Sequence, residues 1–319
     1  MSSVDFEIIR KKTFVYNLFG VNISHSKAPT LHNFIFEKLG LDGYHYQIMD
    51  STDVDGFLKL LRMNDGASSE ADLLFNGAVV TMPYKVKMTE HVDHVDEGAQ
   101  AVGAINTIYV RFDESGKPLN IGTNTDTYGI RDAFLLNAPE FVEKCRNTNK
   151  VGLVYGGGGA SRSAVFALYK FLGCEKVYVI NRFAHEIDAL ITSMKENGFE
   201  GEIIPLLNPD QAKGIERPDL VVLTVPDFEP TSEEEILAKQ TLDVVIKQEK
   251  SGAVLEMCYH PNEITRLYRE FESHNWKVIS GVEAMIYQGL VQQTLWSGYS
   301  IDEMPVKEVT KHVYATLHD

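Results

Sequence analysis

The sequence predicts an α/β chain made of two alternating units, on three observations. Strand-length and helix-spaced apolar stretches alternate from the N-terminus, beginning with TFVYNLFG (13–20) and APTLHNFIFEKLG (28–40). The alternation starts afresh at VGLVYGGGGASRSAVFALYKFLGCEKVYVINR (151–182), after a turn-rich passage. The length, 319 residues, is enough for two hydrophobic cores.

Residues 13–20 read as a strand, and 28–40 as a helix with Leu31, Phe34, Ile35 and Leu39 on one face. YHYQIM is a second strand, VDGFLKLLRM a helix and GAVVTMP a third strand. This βαβαβ order favours a mostly parallel sheet. FDESGKPLNIGTNTD (112–126) is dense in turn formers, a long helix follows, and NAPEFVEKCRNTNK (137–150) reads as a connector. Later, VVLTVP (221–226) and AVLEMCY (253–259) are strand candidates, EPTSEEEILAK starts an acidic helix, and VEAMIYQGLVQQTLWSG (282–298) is a strong helix.

Composition narrows the function. The 44% hydrophobic and 24% charged content suits a soluble globular protein. No run approaches 18 apolar residues, so no membrane span is expected, and the N-terminus has no apolar segment of the secretory kind. Cys145, Cys174 and Cys258 are odd in number and far apart in sequence, so neither a disulfide framework nor a metal site is expected. A reducing, cytoplasmic location follows as an expectation. The net charge of −15, without any basic tract, argues against a nucleic-acid partner. An anionic metabolite remains compatible, because a local pocket can be positive.

Gly156-Gly157-Gly158-Gly159-Ala160-Ser161 lies between a strand and an apolar helix, the setting a dinucleotide fingerprint requires. Residues without Cβ let a pyrophosphate approach the backbone, and the helix N-terminus offers unpaired N–H groups. Ser161 is small enough at the last position for close helix packing. A bare tight turn is the simpler alternative. The next strand ends in Asn181 and Arg182. Asn181 suits a ribose hydroxyl, and Arg182 suits a phosphate, an adenine face or plain solvent. With one Arg and with Glu186 close by, NAD is expected over NADP.

SHSKAP, VTMPYK, GAINT, NTDTYG, GGGGAS, INR and the late Gln-bearing helix resemble, in order, the shikimate and quinate dehydrogenases. The resemblance covers about residues 15 to 300. It implies an N-terminal α/β substrate domain (1–125 plus 283–319) and a Rossmann-type NAD(P)-binding domain (126–282). It also implies metal-free, reversible oxidation of a ring hydroxyl on a cyclohexane or cyclohexene carboxylate. Lys85 and Asp126 match the catalytic pair; by spacing alone they also read as a helix-decorating lysine and an N-cap. Ser24 and Ser26 match ligands of the substrate carboxylate, and Thr81 a hydroxyl near it. Asn106 and Gln288 match the amides for the ring hydroxyls. Gly156, Gly158, Gly159, Ala160, Ser161, Asn181, Arg182 and Gly281 match cofactor contacts. His25 and Lys27 fit loop scaffolding.

Four departures bear on specificity. Ala28 stands where the family usually has a second carboxylate-binding serine. Glu283 replaces a common glycine and Ala284 the usual methionine; Glu256 replaces an Asp three residues before Tyr259. Loss of the hydroxyl at Ala28 is expected to weaken carboxylate binding by roughly 1 kcal/mol or more, and its small size to admit the extra ring hydroxyl of quinate. The expected activity is thus NAD-dependent quinate dehydrogenation, with shikimate as a possible second substrate and a monomer or homodimer as the assembly. The alternatives are an NADP-dependent shikimate dehydrogenase and a catalytically silent metabolite sensor.

Overall fold

The computed structural model describes residues 4–148, 150–248 and 252–317. The chain forms two compact units: Met1–Gln100, Ala104–Thr125 and Gln288–Asp319 make the first, Ala101–Gly103 and Asp126–Tyr287 the second. The late helix was expected to join the first unit from residue 283; the division falls between Tyr287 and Gln288.

The strands of the first unit are β1 (Phe14–Gly20), β2 (Tyr44–Asp50), β3 (Gly77–Val80), β4 (His94–Val95), β5 (Thr107–Phe112) and β6 (Pro118–Thr123). They form one sheet in the order β2-β1-β3-β5-β6-β4. Strands β1, β2 and β3 are parallel, as the alternation predicts. The remainder departs from a mostly parallel sheet, because β5 runs antiparallel to β3 and to β6. The turn-rich passage at 112–126 is in fact the tip and second arm of this hairpin. The Asp113 carboxylate accepts from the N–H of Ser115 (2.8 Å) and of Lys117 (2.9 Å), and Gly116 takes φ +83°. Turn chemistry of this kind closes a hairpin as readily as it opens a loop.

Helices α1 (Phe6–Ile9), α2 (Ala28–Lys38), α3 (Val54–Leu61) and α4 (Glu97–Val102) belong to this stretch of chain. Leu31 and Ile35 of α2 are fully buried, and Phe34 stacks on His312 at 4.1 Å. Aromatic rings dominate the core: Phe19 stacks on Phe57 at 4.4 Å, and Tyr16 lies 4.5 Å from Trp296.

The second unit carries β7 (Val151–Tyr155), β8 (Lys176–Ile180), β9 (Glu202–Pro205), β10 (Leu220–Leu223), β11 (Ala253–Glu256) and β12 (Lys277–Ser280). Every pairing is parallel, and the order is β12-β11-β10-β7-β8-β9. This is the doubly wound order of a dinucleotide-binding sheet, whose switch point lies between β7 and β10. The helices are α5 (Asp126–Asn137), α6 (Pro139–Asn147), α7 (Gly159–Lys170), α8 (Ala184–Glu196), α9 (Pro209–Lys213), α10 (Glu233–Ile246) and α11 (Arg266–Ser273). Then come α12 (Gly281–Ser297), which passes from one unit to the other, and α13 (Val306–Ala315) in the first unit.

The expected connector at 137–150 is largely α6, with Pro139 at its start and Val142 and Cys145 buried; residue 149 lies outside the described residues. The acidic start of α10 carries a capping box between Ser232 and Glu235. Cys145 and Cys174, distant in sequence, are both buried with Sγ atoms 3.5 Å apart. Among the described residues no helix is long and apolar enough to cross a membrane.

Candidate functional site

In the first unit, residues 23–27 of the stretch ISHSKAP lie in the loop between β1 and α2, and Ala28 and Pro29 open α2. The carboxylate of Asp50, at the end of β2, accepts from the N–H of Asn22 (2.8 Å) and Ile23 (3.0 Å) and sets the loop's path. Ser24 is exposed, and Ser26 is half-buried with its Oγ accepting from the Ala28 N–H at 3.3 Å. Lys27 serves as scaffold, donating to the Thr316 carbonyl at 2.5 Å. Ala28 is 5% exposed and packs with the apolar core. A serine at this position would place its hydroxyl in the same nearly buried setting.

Thr81 and Lys85 follow the C-terminal end of β3. Thr81 donates its N–H to the Phe19 carbonyl at 2.8 Å. Tyr84 stacks on Phe19 at 4.7 Å, and the Lys85 carbonyl accepts from Ile105 N–H at 2.9 Å. The backbone on both sides of the Lys85 side chain is thus held. Asp126, in the second unit, opens α5 and is buried.

Asn106, which is buried, and Gln288, which is half-buried, come together in a polar cluster whose other members the sequence did not announce. Asn106 Nδ2 lies 3.2 Å from Gln288 Oε1 and 3.0 Å from Thr125 Oγ1, and Asn106 Oδ1 accepts from the Thr125 N–H at 2.7 Å. Gln288 Oε1 also accepts from Thr125 Oγ1 (2.9 Å) and from Gln292 Nε2 (2.9 Å). Gln292 in turn reaches His32 at 3.0 Å, and Gln293 reaches the other ring nitrogen at 2.7 Å. Burial depresses the His32 imidazole to a pKa of about 3, against a raising influence from Gln292, so the ring is neutral. Gly289 permits the contact, because a Cβ there would lie 2.3 Å from Leu31 Cδ2.

In the second unit the glycine turn sits at the switch point. Gly156 has φ +133°, and Ser161 Oγ is 2.8 Å from Thr224 Oγ1, which follows β10. At Gly158, the N-cap of α7, an added Cβ would meet nothing within 4 Å. Open space thus fronts Gly159, Ala160 and the N-terminus of a twelve-residue helix, which fits a pyrophosphate. Asn181 donates to the Glu186 carboxylate at 2.5 Å, and that carboxylate would lie 3.2 Å from a Cβ on Gly157. Arg182 is turned to Glu235 at 2.7 Å. Two backbone N–H donors, from Thr231 and Ser232, and then Arg182 hold Glu235 down to about 2. Gly281 starts α12 where a Cβ would press on the carbonyls of Met257 and Glu256, so packing against β11 requires a glycine there.

The chain is 36% identical over 316 residues to the quinate dehydrogenase of Emericella nidulans, covering 94% of this chain and 93% of that one. It belongs to the shikimate and quinate dehydrogenase family. The family model described as shikimate dehydrogenase substrate binding domain matches residues 18–108. A solved shikimate dehydrogenase in complex with NADP+ is 27% identical with a TM-score of 0.69, covering 100% of this chain and 99% of that one. A quinate dehydrogenase from Corynebacterium glutamicum in complex with NAD shares the fold at 20% identity and a TM-score of 0.71, covering 96% and 100%. The chain is thus an oxidoreductase of this family and binds a nicotinamide dinucleotide.

The chain also has a buried carboxyl with a measurable signature. Burial pushes Glu256 up to about 8, with Asp227 adding to the rise, despite donation from the Cys258 N–H and the Thr265 hydroxyl, each at 3.0 Å. Between pH 4.5 and 8 the folded chain keeps a proton that the unfolded chain has lost, so this group lowers stability as pH rises. The slope approaches about 1.4 kcal/mol per pH unit. In denaturant titrations, Glu256→Gln is expected to gain on the wild type steadily from pH 5 to pH 8. Parallel stability curves would refute the assignment.

Proposed function

We propose that the chain oxidises a ring hydroxyl of quinate to give 3-dehydroquinate with NAD, and accepts shikimate as a second substrate. The observation that carries this reading is the near full-length identity to a quinate dehydrogenase. When bound, the nicotinamide supplies the hydride acceptor. Lys85 is the residue that holds the reacting hydroxyl and takes its proton, with Asp126 as its carboxylate partner. Asn106 and Gln288 orient the ring hydroxyls, Ser24 and Ser26 receive the carboxylate, and Thr81 borders it. The turn from Gly156 to Ser161 holds the pyrophosphate.

Glu186 supports NAD. Its carboxylate lies beside the glycine turn, where it suits a ribose 2′-hydroxyl and repels a 2′-phosphate. Arg182 favours NADP, and its pairing with Glu235 opposes that use. The test is kcat/KM for quinate and shikimate with each dinucleotide, in the wild type and in Glu186→Ala. Quinate with NAD is expected to be the best pair, and the variant to gain NADP use by about tenfold or more, as expected from relieving a like-charge contact. Preference for shikimate with NADP in the wild type would overturn the reading.

A further inference from the structure

We propose that His32, Gln292 and Gln293 are positioning residues that fix the Gln288 amide with its NH2 group toward the substrate. The inference rests on the reading of Gln288 as a substrate ligand. The argument is one of donors and acceptors. The Gln293 amide nitrogen only donates, so His32 Nδ1, 2.7 Å away, must accept. The ring proton then sits on Nε2 and donates to Gln292 Oε1 at 3.0 Å. This leaves Gln292 Nε2 to donate to Gln288 Oε1 at 2.9 Å and to Thr107 Oγ1 at 2.8 Å. Gln288 Oε1 also receives the Thr125 hydroxyl at 2.9 Å and Asn106 Nδ2 at 3.2 Å. With its oxygen so occupied, Gln288 has only its nitrogen to offer, and among the described residues no group takes the hydrogens of that nitrogen.

The result is a chain of donors running one way, Gln293 to His32 to Gln292 to Gln288, ending in a donor for a hydroxyl or carboxylate oxygen of the bound acid. Such chains polarise each member in the same sense. A protonated ring would present a hydrogen to the Gln293 amide and break the sequence, and burial keeps the ring neutral. His32, Gln292 and Gln293 are each fully buried, and the imidazole stacks on Tyr46 at 4.3 Å, so the first link has no freedom to turn.

The experiment compares wild type with His32→Phe, which keeps the ring stack but removes both nitrogens, and with His32→Gln, which keeps a donor. Gln292→Met cuts the chain one link later and reads the same effect if His32→Phe fails to fold. The expected result is a rise of about tenfold in KM for quinate in His32→Phe and Gln292→Met, with KM for the dinucleotide within about twofold and most of the loss recovered in His32→Gln. Unchanged quinate KM in a folded variant, or equal rises for acid and dinucleotide, would overturn the proposal. If the wild type binds quinate or shikimate without turning it over, only the enzymatic reading fails, and the same ratios are read as Kd by calorimetry. Binding of neither acid sinks both.

Discussion

Lys85→Ala is expected to lower kcat for quinate oxidation by about 10²–10⁴-fold, the range for removing a positioned acid–base group. Quinate affinity should fall far less, by about tenfold or below, because the other proposed ligands (Asn106, Gln288 and the serines) are untouched. The fold should survive. The neighbouring Tyr84 ring is held by its stack on Phe19, and the local backbone by the Ile105-to-Lys85 hydrogen bond, neither of which uses the lysine side chain. Steady-state kinetics together with calorimetric titration of quinate separate the two effects. A variant with near wild-type kcat would remove Lys85 from the chemistry and leave the sensor reading to be tested next.

Gly156→Ala and Gly158→Ala are expected to fail in different ways. At Gly156 the backbone is at φ +133°, and a Cβ would stand 2.2 Å from Thr224 Oγ1. That hydroxyl is itself tied to the Tyr155 carbonyl (3.0 Å) and to Ser161 (2.8 Å), so it has little room to give. The strain is expected to cost on the order of 1–3 kcal/mol of stability, with dinucleotide binding lost through distortion of the turn. At Gly158 a Cβ would meet nothing within 4 Å, so the protein should keep its stability. The methyl would instead fill the space in front of α7, and dinucleotide affinity should drop by about tenfold or more, which corresponds to at least ~1.4 kcal/mol. Thermal unfolding and dinucleotide titration on both variants test this. Unchanged affinity in Gly158→Ala would place the pyrophosphate elsewhere.

Much of this was readable from the residues, because the informative signals were local. The glycine turn advertises itself between a strand and a helix, and the parallel order of β1, β2 and β3 follows from their alternation with α2 and α3. The β5–β6 hairpin was missed because Asp113, Ser115 and Gly116 look alike in a loop and in a hairpin tip; only the partner strand distinguishes them. His32 and Gln292 were missed for a different reason. Each looks like an ordinary helix residue, and their meaning appears when Gly289 lets α12 approach α2. The burial of Ala28 was not legible, because sequence reports size and not which way a helix face is turned. Cys145 and Cys174 meet only through the packing of the second unit, which no spacing rule announces.

Trp296 closes the core of the first unit. Its indole donates to the Ile108 carbonyl 188 residues earlier, and its own carbonyl accepts from Asn76. The second unit, by contrast, is almost continuous in sequence. During synthesis, therefore, the earlier-made sheet must wait with an unfilled centre while the later-made unit can finish first. The order in which the chain emerges and the order in which its cores are completed are reversed. A chain that ends before Trp296 lacks the ring that packs on Tyr16 and the indole that ties down Ile108, so its first sheet keeps an incomplete core.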